Sequence, residues 1–211
     1  MKNNFIKILL ILLLSFNINH DVKSEEFIFK SDTIEVKNNG NIIEAKNGVV
    51  IEGINNIKIS AKNSFYNNLN SELLLKDKVV FYDNEKNIKI ISDKVLYKKK
   101  IERIISSGKT QIQLADDYRI IANNIEYLKK ENIIQSSSET ILLDKFNNQV
   151  NVSDFKYSTD KKLFYGNNIS MTDQDKNNYL FKNSMIDLNN HTFLAKDVEV
   201  NFAKNIFGNL D

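Results

Sequence analysis

Residues 118–144 read YRIIANNIEYLKKENIIQSSSETILLD and contain two strand patterns joined by a polar turn. Apolar side chains occupy alternate positions from Tyr118 to Ala122, and the alternation resumes after a slip of two residues. A polar turn over 129–132 then leads to a second strand that ends at Leu143. Because period-two alternation is typical of a half-buried strand, this segment predicts a pair of antiparallel strands.

The same unit recurs along the rest of the chain. The residue that matches Ala122 returns every 30 or 31 residues, at Ser31, Ala61, Ser92, Ala122, Val152 and Asn183. Two residues before each of them lie Phe29, Ile59, Ile90, Ile120, Val150 and Phe181. Five residues after each lie Val36, Tyr66, Tyr97, Tyr127, Tyr157 and Leu188. Self-similarity at a fixed period is typical of repeat architectures, so we predict six two-stranded units and about twelve strands.

Glycine and asparagine mark the expected turns and bends. The Asn38–Gly40 turn lies between two alternating runs and predicts a hairpin. Gly48 and Gly108 occupy equivalent places, where we expect a bulge or a bend, and Gly166 lies near the bend of the fifth unit. No segment has a helical period over ten or more residues, and we find no linker, so residues 25–211 are expected to form one domain.

The apolar residues of each unit lie on one side only. In the second unit, Ile57, Ile59 and Ala61 alternate with polar neighbours. This pattern is typical of an antiparallel sheet with one dry face and one wet face. A lone two-stranded unit is marginally stable, so the units must stack to bury that face. We therefore predict an all-β, antiparallel jelly roll or slot-like sandwich with a lipophilic interior.

Residues 1–24 have the pattern of a secretory signal peptide. Lys2 and Lys7 precede an apolar run that starts at Ile8, and Val22-Lys23-Ser24 fits a cleavage site after Ser24. The apolar run is shorter than the roughly twenty residues that a membrane-spanning helix needs. We therefore expect an exported protein. In a cell with two membranes it would reach the periplasm or the periplasmic face of the outer membrane.

Charge and rare residues exclude several classes of function. Without residues 1–24, 29 less three basic residues and 27 less one acidic residue remain, which is 26 of each. A chain so close to neutrality gives no electrostatic reason to expect nucleic acid as a partner. The chain has no cysteine and, beyond the leader, one histidine, so we expect neither disulfides nor thiolate metal sites.

The repeated motif resembles the OstA-like domain, which is shared by LptA, a periplasmic lipopolysaccharide bridge protein, and by the N-terminal part of LptD, the outer-membrane translocon. The resemblance covers nearly the whole mature chain. It rests on FKSDTIEV (29–36), EAKNGVVIEG (44–53), ISAKNSFY (59–66), ISDKVLY (91–97) and IIANNIEY (120–127).

The resemblance implies a passive conduit in lipopolysaccharide transport and outer-membrane assembly. Acyl chains would lie in the apolar interior, and the sugar and phosphate head would stay outside. The candidate lipid-binding residues of that interior are Ile59, Tyr66, Ile90, Tyr97, Ile120, Tyr127, Val150 and Tyr157. The alternative from the residues alone is that these side chains fill a closed core.

The resemblance also implies partners at the edges of the sheet. In the family, jelly rolls join edge to edge, so an LptA-like bridge protein would pair with an exposed first or last strand. The candidate partner-edge residues are Phe27, Phe29, Ile34 and Val36. Lys30 and Lys37 could instead act as gatekeepers against such pairing.

The segment VEVNFAKNIFGN (198–209) resembles the part of LptD that leads from the jelly roll to a membrane barrel. This favours the N-terminal part of a longer LptD-like protein, with an LptE-like lipoprotein as a further partner if the barrel exists. The alternatives are a free-standing LptA-like bridge, soluble in the periplasm, and a non-catalytic β-repeat surface or adhesin-like module.

We expect no catalytic residues, no cofactor and no metal site. His191 lies in a predicted turn, and the paired acids Asp116-Asp117 and Asp173/Asp175 also fall in predicted turns, where Asp is favoured for turn geometry. The chain contains no nucleophile elbow, zinc-protease motif or phosphate-binding glycine loop. The sequence therefore favours lipid binding over enzymatic activity.

Overall fold

A computed structural model describes residues 27–53, 56–114, 118–146, 148–172 and 175–203. The leader (1–24), Asp116, Asp117, Asp173 and the end of the LptD-like segment (204–209) lie outside these residues. The first seven strands are β1 (Ile28–Lys30), β2 (Thr33–Lys37), β3 (Ile42–Glu52), β4 (Ile57–Asn67), β5 (Glu72–Asp83), β6 (Ile88–Lys98) and β7 (Arg103–Gln113).

The remaining strands are shorter in the middle of the chain and long again at its end. They are β8 (Arg119–Asn123), β9 (Glu126–Leu128), β10 (Ile133–Ser136), β11 (Thr140–Leu143), β12 (Gln149–Val152), β13 (Asp154–Ser158), β14 (Leu163–Thr172), β15 (Asn178–Asp187) and β16 (Thr192–Asn201). Two single turns of 3-10 helix, Lys99–Ile101 and Lys129–Glu131, are the helical elements of the described chain.

All described strands belong to one antiparallel sheet, which confirms the predicted all-β class. Four pairs of short strands (β1/β2, β8/β9, β10/β11 and β12/β13) are the two halves of single chain segments. The sixteen strands therefore correspond to twelve segments, as the repeat predicts. Each segment pairs with the next one along the chain, so the sheet is a meander from β1/β2 to β16.

Nearly every segment is interrupted at its middle. Register shifts occur between Lys46 and Val49, between Ser60 and Asn63, and at equivalent places in the next two strand pairs. Gly48 and Gly108 lie at two of these bulges with φ of +90° and +81°, a conformation that is strained for side chains with a Cβ. The bulges predicted at these two glycines are confirmed.

The interruptions divide the sheet into two halves. The first half-sheet comprises β2, β9, β10, β13 and the adjoining parts of the long strands, and the second half-sheet comprises β1, β8, β11, β12 and the other parts. Between β7 and β14 the two halves separate, and the pairings close a ring of eight strands, β7-β8-β11-β12-β14-β13-β10-β9.

The two half-sheets face each other. Asp83 lies at the outer end of the second half-sheet and Tyr127 near the outer end of the first, about 30 Å apart if the sheet were flat. The Tyr127 hydroxyl nevertheless donates a hydrogen bond of 2.9 Å to Asp83 Oδ2. The sheet is therefore folded over along a line through the bulges, which we call the crease, and the opposite opening is the mouth.

One part of the predicted repeat frame is wrong. In the sixth unit, Phe181 and not Asn183 continues the row of Ala122 and Val152, and Ile186 and not Leu188 continues the row of Tyr127 and Tyr157. The last unit is thus displaced by two residues. A hairpin tolerates this shift because moving the frame by two residues keeps every side chain on the same face.

Candidate functional site

Two rows of side chains line the space between the half-sheets. In the first half-sheet the row, here called the tyrosine row, consists of Val36, Ile43, Tyr66, Leu73, Tyr97, Ile104, Tyr127, Ile134, Tyr157, Phe164, Ile186 and Phe193. In the second the row, here called the isoleucine row, consists of Phe29, Ile51, Ile59, Phe81, Ile90, Ile112, Ile120, Leu142 and Val150.

All eight candidate lipid-binding residues of the sequence analysis lie in these two rows. Seven of them are buried in a single hydrophobic cluster, and Val150 is partly buried and packs against it. The sequence pattern therefore found the interior face of both half-sheets. In this structure the side chains in the middle of the rows pack against one another, and Phe81 and Tyr97 meet edge to face at 5.6 Å between ring centroids.

The rows next to the crease hold hydroxyl-bearing side chains among larger apolar ones. The row in the second half-sheet contains Ala61, Val79, Ser92, Thr110 and Ala122, and the row in the first contains Ser64, Leu75, Val95 and Ser106. All of these side chains are buried.

Near the interruptions of the strands, buried hydroxyl groups form hydrogen bonds with backbone N–H and C=O groups. Ser106 Oγ donates to the Ile125 carbonyl at 3.2 Å and accepts from the Ile125 amide at 3.0 Å. Thr110 Oγ1 donates to Ser106 Oγ at 2.8 Å, and Ser136 Oγ donates to the Asn123 carbonyl at 2.8 Å. The sequence analysis used Ser92 only to align the repeats. It did not predict that hydroxyl groups at the crease would form hydrogen bonds with the backbone. Buried backbone groups need such partners because water cannot reach them.

The mouth is closed near the middle of the sheet by a buried ion pair. Lys129 Nζ lies 2.9 Å from Asp83 Oδ2 and 3.4 Å from Glu85 Oε2. The Lys129 side chain is 7% exposed and that of Asp83 is 0% exposed. Because these residues come from opposite half-sheets, the pair holds the two edges together. We call Asp83, Tyr127 and Lys129 the clasp.

The clasp changes the chemistry of its tyrosine. Burial, followed by the charge and the hydrogen bond of Asp83, raises the pKa of the Tyr127 phenol far above its ordinary value of 10.0. Sequence analysis placed Tyr127 in the interior but missed the two charged partners. Asp83 could have been noticed as an acid that replaces an apolar residue in the alternating pattern of β5, VVFYD.

A second closure lies at the beginning of the chain. The ring of Phe27 packs edge to face against Tyr66 and Tyr97, with centroid distances of 5.4 and 6.0 Å. Lys99 Nζ lies over the Phe27 ring, 5.0 Å from its centroid. Phe27 therefore bridges the two half-sheets across the mouth. It was predicted as a partner-edge residue, but its ring packs inside the molecule.

At both ends of the sheet, the part of the chain that the structure describes leaves residues of the interior face exposed. At the N-terminal end, Ile34 and Val36 continue the interior face but are 44% and 63% exposed. At the C-terminal end, Phe193 and Val198 also face inward and are 39% and 55% exposed. Within the described residues, the apolar interior is thus covered in the middle and exposed at both ends.

Both terminal segments present edges. Among the described strands, β1 and β2 pair only with β3, and β16 pairs only with β15. Of the predicted partner-edge residues, Ile34 and Val36 are exposed, whereas Phe27 and Phe29 are half-buried and pack inward. Lys30 forms an ion pair with Glu52 at 2.9 Å, and Lys37 forms ion pairs with Glu35 and Glu44 at 3.0 Å.

The other residues singled out in the sequence lie on the surface. His191 is exposed in the β15–β16 turn, where Nδ1 lies 3.5 Å from the Tyr118 hydroxyl, and Asp175 lies in a turn before β15. Within the described residues, no three acidic or histidine side chains form a group suited to a metal ion. No helix in the same part of the chain is long and apolar enough to span a membrane.

Comparison with known proteins adds no family assignment. The sequence matches no protein-family model, and no curated protein is significantly similar to it. The class that the structure itself defines is an all-β protein with one antiparallel sheet folded over an apolar interior.

Proposed function

We propose that this protein is a lipid conduit in which the folded sheet is a jelly roll of the OstA-like type. The apolar interior binds the acyl chains of lipopolysaccharide and passes them along the meander toward an outer-membrane translocon. The polar head of the lipid stays outside the mouth. The chain belongs, in this proposal, to the periplasmic side of lipopolysaccharide transport, most like the N-terminal part of an LptD-like protein.

The observation that carries the proposal is the interior face that continues, uncovered, to both ends of the sheet. A protein that only needed a core would gain stability by covering residues such as Val36 and Val198, because each Å² of apolar surface removed from water contributes about 25 cal/mol. Open apolar ends on a closed middle suit a ligand that enters at one end and leaves at the other.

The unpaired edges support the same function. A passing lipid needs a neighbouring protein whose interior continues this one, and β2 and β16 offer backbone groups to which such a partner could add a strand. The partner that fits is an LptA-like bridge protein, paired edge to edge so that the two interior faces join.

Site-specific photo-crosslinking tests the conduit directly. A photo-reactive benzoylphenylalanine replaces Phe193, which faces the interior at the open end, in purified residues 25–211. The control carries it at Leu194, the next residue of the same strand, which is 60% exposed on the outer face. After incubation with purified lipopolysaccharide and irradiation, we expect lipid adducts at position 193 and few at 194.

Equal labelling at the two positions would show adsorption to the surface and would contradict the conduit. A further probe at Tyr157, in the buried middle of the tyrosine row, reports whether lipid travels inward from the end. Labelling at 193 without labelling at 157 would mean that the interior only docks a lipid end.

Two alternatives differ in where the native protein is found. An antibody against residues 25–211 should detect a much larger protein in the outer membrane if the chain is the N-terminal part of an LptD-like translocon. A soluble periplasmic band somewhat below the 24.4 kDa of the full chain would instead fit a free LptA-like bridge. A β-repeat surface or adhesin-like module would give neither the large outer-membrane protein nor the soluble periplasmic band. In the crosslinking experiment it would give no lipid adduct.

A further inference from the structure

The two closures of the mouth are held in different ways. The clasp joins β5 to the residue that follows β9, and both strands have a neighbour on each side. Phe27 belongs to the first described segment, residues 27–30, which we call the strap. The strap contains β1, which among the described strands pairs only with β3, at Ile28, Phe29 and Lys30. The strap is therefore the less firmly held of the two closures.

The other contacts that hold the strap are few. Lys30 forms an ion pair with Glu52 in which both side chains are largely exposed, and such a pair adds little stability. Ser31 Oγ donates to the Lys46 carbonyl at 2.5 Å, which fixes the corner between the strap and β2. A short terminal strand with one neighbour opens at a lower cost than a central strand. The strap could therefore leave β3 while the rest of the sheet stays folded.

The ring of Phe27 occupies an apolar slot in the interior. It packs against Tyr66 and Tyr97, and its centroid lies 6.1 Å from that of Phe29. The ring also lies against the backbone of Gly53, where an added Cβ would be 3.4 Å from its nearest atom. Tyr66 and Tyr97 are candidate lipid-binding residues. The Phe27 ring thus takes a place that the apolar part of a ligand would take beside these tyrosines.

The same ring shields the tyrosines from water. Tyr66 and Tyr97 are 7% and 2% exposed, whereas Phe27 is only partly buried and packs against the hydrophobic cluster from its border. Lys99 lies over the ring, and a cation in this position near the surface adds little stability. Removal of the ring would therefore open the interior at this place.

We propose that the strap is a removable lid and that Phe27 is an internal competitor for the apolar interior. In the closed state the ring fills the slot beside Tyr66 and Tyr97. When the strap leaves β3, the mouth opens there and an acyl chain enters the interior from the side. This inference deepens the proposed function and rests on it for the nature of the ligand. The apparent affinity for that ligand is the intrinsic affinity multiplied by the fraction of molecules that are open.

Fluorescence titration of residues 25–211 with cis-parinaric acid, a long-chain fatty acid that fluoresces in apolar surroundings, tests the competitor. Phe27→Ala should bind this probe about tenfold more tightly than the wild type, the gain expected if about one tenth of the molecules are open. The control Phe146→Ala removes a ring that is 73% exposed in the loop after β11, and it should bind like the wild type. Equal affinity of the wild type and Phe27→Ala would overturn the proposal.

A reversible lock separates movement of the strap from the space that an alanine leaves. Ile28 and Glu52 lie opposite each other on the outer face of β1 and β3, and the chain has no cysteine of its own. Opposite positions of antiparallel strands lie within the distance that a disulfide spans. Oxidised Ile28→Cys/Glu52→Cys should bind cis-parinaric acid about tenfold or more weakly than the reduced form, because the disulfide keeps Phe27 in its slot. Equal binding by the two forms would contradict a moving strap.

The lid and the conduit can fail separately. Position 193 reports on the conduit, since it lies at the end of the sheet opposite the strap. If position 193 captures lipopolysaccharide but neither Phe27→Ala nor the disulfide changes the affinity for the fatty acid, the conduit stands and the lid fails. If both changes act as expected and position 193 captures no lipid, the strap is the lid of an apolar site that does not carry lipopolysaccharide.

Discussion

The middle of the sheet and its last two strands have the same pattern of residues and a different degree of burial. Phe81 in β5 is 0% exposed, whereas Phe193 in β16, also on an interior row, is 39% exposed. Val79 and Val198 differ in the same way, at 0% and 55%. Facing strands cover the middle, while the interior face of β16 has no such cover within the described chain.

The alternation of apolar residues therefore shows which face of a strand points inward. It does not show whether other strands cover that face. Coverage depends on the neighbours, here on the clasp and on Phe27, which close the mouth over β5 and β6. The middle of the sheet is expected to supply the stability of the fold, and the ends are expected to supply its binding surfaces.

The largest expected effect comes from removing a buried ring in the middle. Phe81→Ala should lower the free energy of unfolding by about 3–5 kcal/mol because it leaves a cavity between the half-sheets. The same substitution at Phe193 should cost well under half as much, since that ring is partly in water. Urea unfolding of both variants measures the difference, and equal losses would contradict the contrast between middle and end.

The next effect concerns the clasp. Asp83→Ala leaves the Lys129 ammonium buried without its main partner and should cost about 3 kcal/mol. Replacement of both groups by apolar residues, Asp83→Leu/Lys129→Met, should recover much of that loss. The control Glu72→Ala removes a half-exposed ion pair with Lys98, 3.2 Å long, and should cost less than about 1 kcal/mol.

The double replacement distinguishes a clasp from general packing. If Asp83→Leu/Lys129→Met is as unstable as Asp83→Ala, the loss comes from the shape of the site and not from the unpaired charge. Urea unfolding curves of the wild type and the three variants decide between these two explanations.

A smaller effect should appear at alkaline pH. Because folding raises the pKa of Tyr127 above its unfolded value of 10.0, this phenol binds its proton more tightly in the folded state. Its contribution to stability is complete below pH 10 and is lost as the pH rises toward the folded pKa. Tyr127→Phe should cost about 1 kcal/mol at neutral pH and should reduce the loss of stability above pH 10.

Absorbance at 295 nm measures the ionisation, and urea unfolding at several pH values measures the stability. The control is Tyr82→Phe, whose hydroxyl donates to Asn87 Oδ1 at 2.7 Å on the outer face. If Tyr127→Phe loses stability above pH 10 as steeply as the wild type, another group is responsible.

The smallest effect is expected at the open C-terminal end. Val198→Thr replaces one methyl group by a hydroxyl on a residue that is 55% exposed, and it should change the free energy of unfolding by less than about 0.5 kcal/mol. The matched change Val79→Thr buries the hydroxyl in the core and should cost more than about 1 kcal/mol. Thermal unfolding of both proteins is sufficient, and a large loss at Val198 would mean that this end is covered.

The sequence was sufficient to predict the strands, the bulges and the interior face, because these depend on neighbours in the chain. Tyr66, Tyr97, Tyr127 and Tyr157 recur at the repeat period, and short hairpins fix them in one row. The frame of the last unit was wrong by two residues because no feature of the alternation distinguishes Phe181 from Asn183 as its anchor.

The pairing in the clasp could not be predicted in the same way. Asp83 and Lys129 are 46 residues apart and meet only because the sheet folds at the crease. The alternation marks Asp83 as an acid at an interior position, but it does not show which residue pairs with it.

Because the sheet is a meander of repeated units, the length of the protein is set by the number of units. Every thirty-residue unit adds two strands to the sheet, so it lengthens the interior by about 9 to 10 Å. Duplication or deletion of a whole unit would therefore change the span of the molecule in fixed steps and leave each remaining unit with its usual neighbours. The length of such a protein can be set by the number of units, with no new fold.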